Sequence, residues 1–441
     1  MSLTKSIFTV ILSAFFVTAA HGQVTRSPFT TFGLGEVYNN ALTNNQGMGG
    51  LGVSTPQYFY INNQNPALLV SPMPGAHNKL TIFEAGVVGE TRAIASDTSI
   101  EKTKGGNLNY LIMAFPIKPE RWVSSLAISP FSTVKYKARY VTAIENSSTE
   151  AEITEEGRGG ITQLSWANGI RLHERINVGF KASYFFGSIT NSYQNKLLDT
   201  SLPNNLSASY DDKTYVRDFG FSAGISYSQD SLFRGSRYRL TFGATYDLGT
   251  DLNAKRRTIF YRTNNSGDAT DLDTIANVRG QYSVPSGFSG GLTISQVRGR
   301  RLWNAGIEAS FRDWSMFKSF DADEEAGYGK AWRYVAGGEI TPDPYSENYL
   351  KRITYRLGIS YEQTPYRVNT STEPDSPIYN PVTEFGTNFG LSLPAGRSSL
   401  DIGLRYGQRG NKADTFFQET YWRVFFGITF NDQWFVQRKF D

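Results

Sequence analysis

Gly47, Gly49 and Gly52 stand at the spacing G-x-G-x-x-G, by which a loop's backbone amides cradle a dinucleotide pyrophosphate at the start of a helix. That chemistry needs a buried strand before the loop and a helix after it. The sequence offers neither: Pro56 and Pro66 interrupt the downstream stretch, and 57–64 is aromatic and rich in asparagine. Nucleophilic or metal-assisted chemistry is no better provided for. The chain has no cysteine and 3 histidines: His21 at an export signal, His77 in a proline-rich stretch, and His173 in a tight turn. No H-x-x-x-H spacing occurs, so neither an enzyme nor a cofactor or metal protein is expected.

The segments around these residues explain the poverty of reactive groups. Lys5, the apolar run 7–20 and the small-x-small triplet Ala20-His21-Gly22 form a secretory signal peptide over 1–22, too short for a spanning helix. With no cysteine, a lipid anchor on cysteine and disulfide staples are excluded. The formal charge of +4 over 441 residues gives no reason to expect a nucleic-acid partner.

The remaining chain is patterned with period two. Ile176, Val178, Phe180, Ala182, Tyr184 and Phe186 alternate with Asn177, Gly179, Lys181 and Ser183. Tyr238 to Leu248 repeats the register, interleaved with Arg239, Thr241, Gly243, Thr245 and Asp247. One apolar and one polar face suit either a soluble sandwich or an outer-membrane barrel. The strands are longer than the roughly five or six residues usual in soluble sheets. Short connections (172–174, 394–397, 296–301) alternate with long polar ones (191–211, 263–273, 317–330), and aromatics recur at strand ends: Tyr227, Trp303, Trp332, Tyr361, Trp422 and Trp434. Trp314 is read with them as an interface anchor. The expectation is an all-β transmembrane antiparallel barrel of about fourteen strands in the outer membrane, over 78–441. Segment 23–77 precedes the first strand and is expected either to fill the lumen as a hatch or to hang as a tail. A closed barrel has no edge that needs a second subunit, so a monomer is expected.

Several short motifs, in order along the mature chain, resemble the FadL-like outer-membrane transporters of hydrophobic compounds, especially their Bacteroidota relatives. They are Gly47-Met48-Gly49-Gly50-Leu51-Gly52 with Asn65-Pro66-Ala67, then Ser129-Pro130-Phe131-Ser132 and Phe311-Arg312-Asp313-Trp314-Ser315. Tyr355 to Tyr361 and Asn431-Asp432-Gln433-Trp434-Phe435 complete the set. The resemblance implies a fourteen-stranded barrel plugged by an N-terminal hatch. It also implies uptake of long-chain fatty acids or similar apolar molecules, which leave sideways through a gap at an inward kink of the third strand.

Independently of the family, Pro130 falls inside the third strand, where it can donate nothing to the ladder and demands a bulge, a kink or a loss of pairing. The candidate gate is Ser129, Pro130 and Phe131, with Asn65, Pro66 and Ala67 expected against the break and Asn65 supplying amide hydrogen bonds to it. The other reading of Pro130 is a strand end shaped above the membrane. Lys181, Arg239, Asp247, Glu308 and Arg405 are expected to line the lumen, solvated or mutually paired. The expected partners are the lipid bilayer and a hydrophobic small molecule or lipid. The alternative function is a non-transporting barrel partner of a secretion or surface-assembly machinery.

Overall fold

The computed structural model describes residues 25–73, 78–144, 149–198, 207–230, 238–263, 269–296, 300–320, 327–371, 373 and 376–432. The signal peptide 1–22, His77 and Trp434 lie outside the described residues.

Wall strands follow one another around a closed sheet: β2 (Thr81–Ala95), β3 (Ile100–Lys118), β4 (Trp122–Ala143), β5 (Glu150–His173), β6 (Ile176–Leu197) and β7 (Ser207–Asp230). Next come β8 (Tyr238–Asp247), β9 (Thr250–Thr263), β10 (Ala269–Val284), β11 (Gly287–Gln296), β12 (Leu302–Asp313) and β13 (Lys330–Thr341). β14 (Thr354–Asn369), β15 (Tyr379–Ala395), β16 (Ser398–Arg409) and β17 (Gln418–Asp432) complete the wall, and β17 pairs with β2 to close it. Each neighbouring pair is antiparallel. β8 and β9 lie along the same neighbour β7, and β11 and β10 run beside β8 and β9, so each couple is one bent strand. The barrel thus has 14 strands.

Period two in the sequence becomes inside and outside. Phe180 and Phe221, Phe242 and Tyr246, Phe288 and Leu292, and Leu357 and Ile359 all point outward and are exposed. Asn177, Lys181, Thr241 and Arg239, on the alternate positions, are buried on the inner side. An outer band of this size made of Phe, Tyr, Leu and Ile is stable against lipid and costly against water. No helix among the described residues is long and apolar enough to cross a membrane.

Two stretches read as loops are strand in part. β6 runs to Leu197 and β7 begins at Ser207, and the β9–β10 pair extends across much of 263–273. β4 to β7 have 22 to 24 residues, against the roughly nine to eleven needed to span. Above the membrane both faces meet water, so the alternation that marks a strand in sequence fades there. Trp314 also departs from its expected place. It is 4% exposed, packed on Tyr328 and Phe317 in an aromatic layer across the long-loop mouth rather than at the lipid interface.

Segment 25–73 lies within the barrel and is buried along most of its length. It carries β1 (Glu36–Val37), a helical turn at Thr43–Gln46 and a second at Pro66–Leu69.

Candidate functional site

The glycine-rich loop holds an anion after all, and the anion is the wall's own. The Glu308 carboxylate of β12 accepts the backbone N–H of Gly52 at 3.0 Å and that of Ser54 at 2.8 Å. Glu84 of β2 likewise accepts the N–H of Ile61 at 2.6 Å. Wall donors take the segment's carbonyls: Arg333 reaches Gly49 at 2.6 Å, Arg171 reaches Ser71 at 2.7 Å, and Asn177 reaches Val70 at 2.7 Å. Nearly uncharged and irregular, the segment has backbone polar groups satisfied by polar and charged side chains of the barrel.

Close approach is made possible by glycine in the wall. A Cβ on Gly358 would lie 2.1 Å from the carbonyl carbon of Met48, one on Gly243 2.0 Å from the Val53 oxygen, and one on Gly179 2.2 Å from the carbonyl carbon of Pro66. Many of these glycines face each other across strands: Gly169 with Gly179, Gly179 with Gly224, Gly243 with Gly291, Gly306 with Gly337, Gly337 with Gly358, and Gly390 with Gly403. They form a belt without side chains on which segment 43–67 rests, backbone to backbone at Gly169, Gly179, Gly243, Gly337, Gly358 and Gly390, and through the Asn65 and Leu51 side chains at Gly224 and Gly306.

Asn65, Pro66 and Ala67 sit on this belt, over β5, β6 and β7. Asn65 Oδ1 accepts the Ala67 N–H at 3.0 Å and caps the turn, while Nδ2 donates to the carbonyls of Val53 at 2.7 Å and Ile225 at 3.2 Å. That corrects the expected placement against the break. The motif lies level with Gly169, opposite Val123 of β4, roughly seven residues or about 23 Å along the strand from Pro130.

Ser129, Pro130 and Phe131 lie where the wall parts. β3 and β4 pair from Lys118↔Trp122 up to Leu111↔Ile128, and no further pair joins them among the described residues. The last pair is about six residues, or about 20 Å, above the short-turn end, within the length that spans a bilayer. On its other side β4 stays paired to β5 throughout, with a bulge between Pro130 and Ser132. Beyond the bulge, Phe131, Ser132, Thr133 and Val134 are all buried. A wall strand shows one face to lipid, so burial of four successive residues marks a strand drawn inward.

β1 occupies the vacated edge. Glu36 pairs with Thr133 and Val37 with Ser132, the Tyr38 N–H donates to the Phe131 carbonyl at 2.9 Å, and the Ser27 N–H donates to that of Lys135 at 2.9 Å. Glu36 is the lone acid in 23–73, and it is seated among three wall arginines. Its Oε1 meets Arg409 at 2.7 Å and Arg423 at 2.8 Å, and its Oε2 meets Arg92 at 3.3 Å. The same arginines pair with Glu90, Glu384 and Glu419, and Tyr421 donates to Glu384. Sequence reasoning missed Glu36, although its isolation in a neutral segment was a visible signal.

Burial alone would raise the Glu36 pKa, but Arg409, Arg92 and Arg423 overcome it and hold the carboxyl well below the ordinary value of 4.5. The groups facing it are Arg92 and Glu90 on β2, Tyr366 on β14, Glu384 on β15, Arg409 on β16, and Glu419, Tyr421 and Arg423 on β17, with Tyr38 beside it. A depressed folded-state pKa gives stability that is present above the unfolded value and lost as pH falls through the folded one. Protection of the 36–38 amides, measured against their intrinsic exchange rates, is therefore expected to hold from neutral pH down to the ordinary carboxylate value of 4.5 and to fall progressively below it. Loss of protection near pH 6 would show that another group controls the contact.

Between β1, the upper wall and the aromatic layer lies a cavity of about 340 Å³. Val37, Phe131, Phe185, Trp314 and Tyr366 give it an apolar part, Glu36, Arg409, Arg423 and Glu384 a charged part, and Gly105, Gly106, Asn107 and Asn109 of β3 bring it to the parted seam. Of the charges expected in the lumen, Arg239 pairs with Asp230, Asp247 with Arg312 at 2.6 Å, and Arg405 with Glu384 at 2.5 Å. Lys181, 5% exposed, lines the cavity within electrostatic reach of Asp247 but makes no close ion pair or hydrogen bond among the described residues. No cluster of three or more metal-ligating side chains occurs among the described residues.

A family model described as BamG matches residues 3–441. The chain belongs to the BamG family. No curated protein matches this BamG-family chain. Among solved structures it is similar in fold to a FadL homologue of Pseudomonas aeruginosa, at 15% identity over 94% of this chain and 100% of that one, with a TM-score of 0.55. The toluene transporter TodX of P. putida matches at 14% identity over 91% and 100%, TM-score 0.53. The toluene transporter TbuX of Ralstonia pickettii matches at 11% over 90% and 99%, TM-score 0.51. The BamG-family chain thus has the FadL-like barrel fold.

Proposed function

We propose that this chain takes up apolar small molecules across the outer membrane, long-chain fatty acids among them. The cargo rests in the lumen cavity and leaves sideways into the bilayer through the β3–β4 seam. Ser129, Pro130 and Phe131 form the gate, and Asn65, Pro66 and Ala67 seat the hatch from below. The observation that carries this reading is a cavity, walled in part by aromatic rings, that reaches an unpaired stretch of wall at membrane depth. Two of the fold relatives are named toluene transporters, which agrees with an apolar cargo. Lys181, a cavity cation with no close ion pair among the described residues, suits the carboxylate of a fatty acid.

Uptake of labelled oleate and of toluene by cells lacking their own FadL-type protein tests the reading, with an empty vector as baseline. Both should rise with this protein. Lys181→Met should weaken oleate uptake by about tenfold, the loss of one hydrogen bond to a charged group, and leave toluene uptake unchanged. A folded, surface-located barrel with both compounds at background would sink the transport reading.

A second reading is favoured by one observation. Glu36 clamped by three arginines, together with the aromatic layer of Trp314, Phe317 and Tyr328, closes the lumen firmly. Such a barrel suits a non-transporting partner in a surface-assembly machinery, and background uptake would favour it.

A further inference from the structure

The upper edge of β4 has two possible partners, and only one is in place. β3 continues for about ten residues past its last pair with β4, with no β4 partner for 100–110 among the described residues. Its stretch Gly105 to Asn109 faces the cavity instead. Asn109 Nδ2 and Thr103 Oγ1, on the same strand, are buried with no hydrogen-bond partner among the described residues. The matching edge of β4 is taken by segment 27–38 from inside the barrel. An edge left unpaired at membrane depth costs several kcal/mol per group, so β3 and β1 compete for one ladder.

We infer that β1 is a wedge that holds the β3–β4 seam open, and that Glu36 seats it by reaching Arg92, Arg409 and Arg423. These arginines stand on β2, β16 and β17, on the far side of the seam from β4. Glu36 thus bridges the gap from within: its backbone is on β4 and its carboxylate on the opposite bank. When β1 lifts, β4 loses its inner partner, and the edges of 105–109 and 129–135 are the nearest free ladders. They zip, and the seam closes. Glu36 is a positioning residue, acting on the seam through β1. The inference rests on the seam serving as the exit, but its test reads the wall without any cargo.

Amide exchange by mass spectrometry on the full chain in detergent micelles supplies that test. Two variants lift β1 by unrelated means. Glu36→Gln removes the charge that seats it. Gly35→Val keeps every charge but places a Cβ 2.3 Å from the Thr133 oxygen, at a residue with φ of +76°. In the wild type, 36–38 should exchange slowly and the β4-facing amides of 105–109 quickly. In either folded variant, 36–38 should quicken while 105–109 slow by tenfold or more. A disulfide between Val37→Cys and Ser132→Cys, a directly paired couple in a chain with no other cysteine, should return Glu36→Gln to the wild-type pattern when oxidised. If 36–38 quickens and 105–109 stays fast, the wedge idea fails. It fails equally if 36–38 stays slow in both variants. If exchange behaves as expected while uptake is at background, the wedge stands and the transport reading falls.

Discussion

Gly358→Ala should cost the barrel about 1–3 kcal/mol or more and loosen segment 43–54, although it adds a single methyl group. The added Cβ would meet the carbonyl carbon of Met48 at 2.1 Å and the Gly49 nitrogen at 2.4 Å. Both are backbone atoms, so no side chain can swing aside, and the wall behind Gly358 is fixed by its ladders to β13 and β15. The only relief is for the segment to lift, which draws the Gly52 and Ser54 amides from Glu308 and the Gly49 carbonyl from Arg333. Gly89→Ala is the matched control, in a wall strand where an added Cβ meets nothing within 4 Å. The denaturation midpoint in detergent and chymotrypsin cleavage near Tyr58 to Tyr60 should both move for Gly358→Ala and stay for Gly89→Ala. Equal behaviour of the two would mean that the segment does not rest on the wall.

Glu36→Gln should be more damaging still, for a different reason, at about 3–5 kcal/mol, the usual cost of stranding buried charge. Arg92, Arg405, Arg409 and Arg423 are balanced by Glu36, Glu90, Glu384 and Glu419, with most of these side chains buried. Removing one carboxylate leaves an excess positive charge in a place that water reaches poorly. The comparison is Glu101→Gln, which removes the exposed pair of Glu101 with Arg26, also a bridge from the N-terminal segment to the wall. That pair should contribute no more than about 1 kcal/mol. A denaturation midpoint shifted alike by both changes would show that the buried cluster is not what anchors the segment.

How far the sequence revealed this architecture depended on what each side chain faced. Where strands cross lipid, one face must be apolar and the other polar, so stretches such as 176–186 declared themselves by period two. Above the membrane that constraint lapses, and the strand extensions within 191–211 and 263–273 passed for loops. Trp314 passed for an interface anchor because a tryptophan near a strand end looks alike whether lipid or a packed mouth receives it. Pro130 was legible because its missing N–H is a local fact. The partner that fills the neighbouring edge was not, since β1 has only two residues and is made by the contact itself. Asn65 was assigned the wrong neighbour because nothing in Asn-Pro-Ala says at what height it docks. The three glycines beneath it, Gly169, Gly179 and Gly224, carried that information on strands far away in sequence.

That glycine belt has a consequence for how the chain can change over time. A cavity wall built of side chains recognises the side chains it meets, and each tolerates substitution only with its partner. Along much of the belt the meeting surfaces are main chain on main chain. Residues of the inner segment are therefore free to drift wherever their own side chains point away from the belt. A wall glycine has no such freedom, because its neighbour has nothing to shorten in reply. The barrel should keep the imprint of its enclosed segment in the residues that have no side chain.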